Sequence, residues 1–167
     1  MKRNILRITM ALVLMAVIAI PIPVSADTTG TTEVSGSLAD TIAVSAPAGF
    51  SLTLDPSASQ PIESASKTVN VYANGAKTWN LKAHEASGDG KMASTGTPAD
   101  KLGSTLVVNA AGGEGDIALS GTAQNIVAGH AAGSSDIGVT FKQTVAYTDP
   151  VEADYAITVT FTVEFAE

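Results

Sequence analysis

Cysteine is absent from all 167 residues. That removes disulfides, thiolate metal sites, thiol catalysis and a lipid-modified cysteine behind a leader peptide. Aromatic residues make up 5% of the chain, with Trp79 the single tryptophan. A sugar-binding cleft of rings and paired carboxylates is therefore not expected. Histidine occurs twice, at His84 and His130, and the two are not spaced as zinc ligands. Both stand among small residues and read as solvated loop positions. There is no Gly-x-Ser-x-Gly elbow, and Gly112-Gly-Glu-Gly-Asp116 lacks the lysine and following helix of a phosphate-binding loop. Asn-x-Ser/Thr sequons are also missing, so N-glycosylation is not expected. These gaps point away from an enzyme.

Long apolar runs are confined to the N-terminal end. Lys2, Arg3 and Arg7 precede the stretch Ile8–Ile20, which is apolar apart from Thr9. Pro21 and Pro23 follow, and Val24-Ser25-Ala26 is a small-residue cleavage site. This is the layout of a secretory signal peptide over residues 1–26, and it predicts a secreted domain over 27–167. The run is shorter than the roughly 20 residues of a membrane-spanning helix, so no transmembrane segment is expected after cleavage. A disulfide-free exported domain of this length relies on one hydrophobic core.

Positive charge is scarce. Three of the nine basic residues leave with the signal, and the remaining six lysines face 16 acidic residues, a formal charge of −10. A chain this acidic repels nucleic acid and anionic headgroups. The charge serves solubility, or carboxylate-rich loops collect a divalent cation. Asp89, Glu114 and Asp116 are the calcium candidates, provided their two loops meet; no EF-hand spacing is present. No other cofactor is expected.

What the sequence has in quantity is alternation. From Tyr155 to Phe165 the odd positions are Tyr, Ile, Val, Phe, Val and Phe, and the even ones Ala, Thr, Thr, Thr and Glu. Period-2 patterning of this kind is a half-buried β-strand. The same pattern predicts strands over Thr32–Leu38, Thr41–Ser45, Phe50–Leu54, Lys67–Ala73, Thr78–Ala83, Leu102–Val108, Ile117–Leu119 and Ile137–Val145, the last with a bulge. His84–Asp100 reads as a long loop, and Gln124–Ser135 is ambiguous. Asn74-Gly75 is a strong hairpin dipeptide, and the final two strands are expected to form another hairpin. Eight to nine strands without an amphipathic helix predict an all-β fold, a single two-sheet antiparallel β-sandwich.

The block Thr68-Val-Asn-Val-Tyr-Ala-Asn-Gly-Ala-Lys-Thr-Trp-Asn-Leu-Lys-Ala83 resembles the WxL-type cell-surface domain: a strand, an Asn-containing turn, then Trp79-x-Leu81. The terminal strand Tyr155–Val163 also lies where that family has its last strand. Family members carry a second Trp-x-Leu near the C-terminus, where this chain has Phe161-Thr-Val163. The resemblance implies a secreted β-sandwich, prokaryotic, attached non-covalently to the cell envelope. Trp79 is either core or a ring exposed for ligand stacking, and Leu81 on the same face favours core.

The expected function is a non-catalytic, secreted cell-surface module for envelope association or adhesion, its partner an envelope component or another surface protein. The rival expectation is a structural subunit of an extracellular filament, self-associating by donor-strand exchange through residues 27–38.

Overall fold

The structure, a computed structural model, describes Glu33 and residues 35–167 apart from Thr97. The expected signal peptide, residues 1–26, and the start of the expected donor segment lie outside the described residues. Ser37–Glu167 forms one compact unit.

The described residues are all-β. Eleven strands follow one another: β1 Ile42–Ser45, β2 Ile62–Glu63, β3 Lys67–Ala73, β4 Trp79–Glu85, β5 Lys91–Ala93, β6 Lys101–Thr105, β7 Val107–Ala110, β8 Asp116–Ala118, β9 Gln124–His130, β10 Gly133–Gln143 and β11 Val159–Phe165. A six-stranded sheet has the order β1-β3-β10-β7-β8, with β2 on the end of β10. A three-stranded sheet has the order β11-β4-β9, and β5 pairs with β6 separately. Every pairing is antiparallel. The count exceeds the eight to nine strands expected because β2, β5 and β9 form where no strand was expected, and because the expected strand Leu102–Val108 is two strands, β6 and β7, in different sheets.

Alternation decides which faces meet. Val69, Val71 and Ala73 of β3 and Trp79, Leu81 and Ala83 of β4 are all buried in one core. Val108, Ala110, Ile126, Val127, Val139 and Phe141 join the same core from β7, β9 and β10. Two expected hairpins are corrected here. β3 and β4 do not pair across Asn74-Gly75; they belong to different sheets. Val69, Val71 and Ala73 of β3 and Trp79, Leu81 and Ala83 of β4 enter one core from two different sheets, so the apolar side of each strand is buried without the two pairing edge to edge. β10 and β11 likewise belong to different sheets. The expected bulge in β10 is absent too, since Ile137, Val139, Phe141 and Gln143 point inward in unbroken alternation. Gln143 occupies an apolar-looking slot by donating to the carbonyls of Ser104 (3.1 Å) and Thr144 (2.8 Å).

Two stretches expected as strands form no ladder. Phe50–Leu54 alternates in sequence and has no strand partner, and the terminal pattern from Tyr155 is laddered only from Val159. Ala156 makes an isolated bridge to Ala93. Among the described residues of the expected strand 32–38, Glu33 and Ser35–Leu38 are exposed and unladdered.

Candidate functional site

The edge of β11 is the starting point. Ala166 N donates to Thr78 O at 2.9 Å, and the register runs on with Glu164 opposite Asn80, Thr162 opposite Lys82 and Thr160 opposite His84. Antiparallel ladders alternate bonded and non-bonded pairs. Thr160, Thr162 and Glu164 therefore spend their backbone groups on β4, while Val159, Phe161, Val163 and Phe165 aim theirs away from it. Glu85, opposite Val159, fits this phase: its N–H donates to Ser120 O at 3.0 Å on the far side of β4. Among the described residues β11 pairs with β4 alone, so its other edge carries a row of unused donors and acceptors.

The side chains of that row face the core, yet each is only partly buried, whereas Trp79, Leu81 and Ala83 beside them are fully buried. Val159 and Phe161 open onto a groove of about 570 Å³ at the Val159 end of β11. It is lined by the unladdered stretch Ala46–Leu52 and by Ala153 and Tyr155–Thr158, which lead into Val159 at the start of β11. Phe141 and Leu106 line it from the core, with Phe161 beside them. The rings form a chain: Phe50 lies 5.0 Å from Phe141, and Phe141 meets Phe161 edge-on at 6.4 Å. Lys67 Nζ sits 4.8 Å over Phe50. Tyr155 donates its hydroxyl to Pro150 O at 2.7 Å, which fixes the outer wall.

The sequence-derived candidates lie elsewhere. Trp79 and Leu81 are fully buried, and the indole N–H donates to Ala131 O at 2.9 Å. His84 is on β4 and His130 ends β9, so neither is the loop residue expected. Asp89 pairs with Lys101 (2.7 Å), and Asp116 with Lys142 (2.9 Å) and Asn109 (2.7 Å). These lysines, through hydrogen bonds first and charge second, help hold both carboxyls below the usual aspartate range. Glu114, in the turn between β7 and β8, donates its backbone N–H to Ile126 O at 3.0 Å. Among the described residues no three acidic or histidine side chains converge on one point, so the three calcium candidates are not brought together.

One carboxylate with a clear structural task was missed in the sequence. Glu85 is 2% exposed. It accepts from the Ser87 N–H and hydroxyl, both at 2.7 Å, from Gly88 N–H at 2.5 Å and from Gly90 N–H at 2.8 Å. The turn after β4 is thus wrapped around an anion, with Gly88 and Gly90 at positive φ. Burial pushes this carboxyl up, but the Ser87 hydroxyl and the amides of Gly90, Ser87 and Gly88 together bring it below the ordinary value. The signal was Glu-x-Ser-Gly-x-Gly at the end of an alternating strand.

The groove was also missed as a site, although the strand patterns expected over Phe50–Leu54 and from Tyr155 both contribute to its lining. No family pattern matches the chain, and no curated protein matches it.

Proposed function

We propose that the protein is a non-catalytic, secreted surface module, a single β-sandwich that holds an extended polypeptide segment in the groove by strand addition. The observation that carries this reading is the pairing of two features. Phe50–Leu52 and Tyr155–Thr158 have strand patterning but lie outside the strand ladders, Ala156 making only a single bridge to Ala93, and both line one groove floored by Leu106 and Phe141. A segment laid between them gains main-chain hydrogen bonds from the Val159 and Phe161 edge and apolar pockets for alternate side chains, the two ingredients of β-augmentation. The surroundings favour peptide over other ligands: the groove is bordered by unused backbone groups, with aromatic rings for packing. The export signal and the WxL-type likeness around Trp79 support an envelope setting, with an envelope component or another surface protein as partner.

The test is co-sedimentation of protein beginning at Asp27 with isolated cell envelopes, alongside Phe50→Asp. Phe50 is 37% exposed at the rim, so the substitution spares the buried core. Wild type pelleting at least tenfold more than the variant supports the reading. Equal pelleting of the two places envelope binding outside the groove.

A further inference from the structure

We infer that the segment the groove accepts is residues 27–38 of a second copy of this chain, so that subunits join head to tail; this rests on the strand-addition reading above. The argument is one of placement. Ala39–Thr41 are clamped at the β3–β4 turn: Asn74 accepts from Thr41 N–H through its side-chain oxygen, donates from Nδ2 to Ala39 O at 3.1 Å, and donates its backbone N–H to Thr41 O at 3.0 Å. Asp40 pairs with Lys77 at 3.9 Å, and Lys77 in turn sits 5.7 Å over the ring of Phe165. The chain preceding β1 therefore arrives at the Phe165 end of β11. The groove opens at the opposite, Val159 end, beyond the four residues of β1, about 13 Å of strand.

For a subunit's own residues 27–38 to fill its own groove, the chain would have to double back within the stretch that Asn74 holds. A neighbour placed at the groove end meets no such obstacle. Its segment would run into the groove antiparallel to β11, the favoured pairing sense. An extension at one end and an acceptor at the other make a heterologous contact, which propagates as an open fibre unless a rotation closes it.

The segment itself suits the groove. Thr32, Val34, Gly36 and Leu38 share one face of an extended strand, and Glu33, Ser35 and Ser37 the other. Leu38 is 85% exposed in the subunit, an apolar side chain that the subunit itself leaves uncovered. Opposed to the groove rings, that face supplies the apolar contacts, and the serine face takes the solvent side.

The experiment uses protein beginning at Asp27 and an acceptor beginning at Ser37, which retains every strand and the entire core. A synthetic peptide of residues 27–38 is added to the acceptor, and amide exchange is followed by NMR. The expected result is at least tenfold slower exchange at Val159 and Phe161, with protection spreading to Phe50–Leu54. In sedimentation velocity the longer protein forms concentration-dependent polymers, and Val34→Asp with Leu38→Asp reduces them at least tenfold. Excess peptide dissolves the polymers. A (Thr-Val)5 peptide serves as the generic strand. Protection by it but not by residues 27–38 overturns the self-assembly inference and leaves the groove as a docking site for another chain. Protection by neither peptide overturns both readings, and polymerisation unaffected by the double substitution overturns this one.

Discussion

The indole of Trp79 lies over the imidazole of His130, ring centroids 4.5 Å apart and planes 28° from parallel. The register places the two residues opposite each other on β4 and β9. The indole N–H is satisfied by the neighbouring Ala131 carbonyl. Trp79 is thus both the largest buried side chain in the core and the pin between two strands. Its removal is expected to cost about 3–5 kcal/mol, the range for large-to-small core truncations of aromatic residues. Urea unfolding of Trp79→Ala measures this. A loss under 1 kcal/mol would show the ring to be dispensable to the core. Trp79→Phe keeps most of the volume and loses the indole hydrogen bond to Ala131 O, so it is expected to cost less than Trp79→Ala.

Glu85 makes stability depend on acid. Its folded-state carboxyl lies below its unfolded value, so the unfolded chain binds the extra proton as pH falls. The contribution is fully present above the unfolded glutamate pKa of about 4.3, and is lost as pH drops through the folded value. Glu85→Gln is expected to flatten the acid limb of a stability–pH curve between about pH 5 and pH 2 while lowering stability at pH 7. Unfolding midpoints across that window decide the matter, and an unchanged acid limb would assign the pH dependence to other carboxyls.

Gly90 is required for space as well as for conformation. Its φ is +68°, and a Cβ there would press on the Leu119 carbonyl. Gly90→Ala is expected to destabilise the domain by more than 1 kcal/mol. Gly49→Ala, at a position without positive φ and with open space around it, is the control and should stay within about 0.5 kcal/mol. Thermal melts of the two variants give the comparison.

Assembly should strengthen with salt. The Tyr155 hydroxyl at the groove wall has its pKa raised by burial first, and then by the charges of Asp100, Glu152, Asp149 and Asp154. Glu33 of the incoming segment passes that negative mouth, and each subunit from Asp27 on carries a formal charge of −10. Added salt screens this like-charge repulsion, so the polymer fraction is expected to rise from 20 mM to 300 mM (about a 20 Å to 6 Å screening length). Light scattering across the series reports it, and weakening with salt would point to a basic partner instead.

Strand existence was legible wherever apolar residues alternate, because a side-chain period of two follows from the geometry of a single extended chain. Lys67–Ala73 forms over the range its alternation predicts, and Trp79 with Leu81 shares one face, while the strand expected over Thr78–Ala83 runs on through His84 and Glu85, which sequence alone assigns to a loop. The absence of cysteine and the acidic balance needed no fold at all. What the tertiary structure decided was which edges and faces meet. β3 and β4 look like a hairpin from Asn74-Gly75, yet they join different sheets and send Val69, Val71, Trp79 and Leu81 into one core. Alternation also cannot say whether a strand will find a neighbour. Phe50–Leu54 and Tyr155–Thr158 carry the same pattern as β3, but pairing depends on chain brought in from elsewhere, and only the folded arrangement leaves the first without a ladder, the second with one bridge to Ala93, and both at one groove. Asp89, Glu114 and Asp116 failed to converge for the same reason: a carboxylate's neighbours are set by long-range packing, and in this fold Asp89 and Asp116 each meet a lysine.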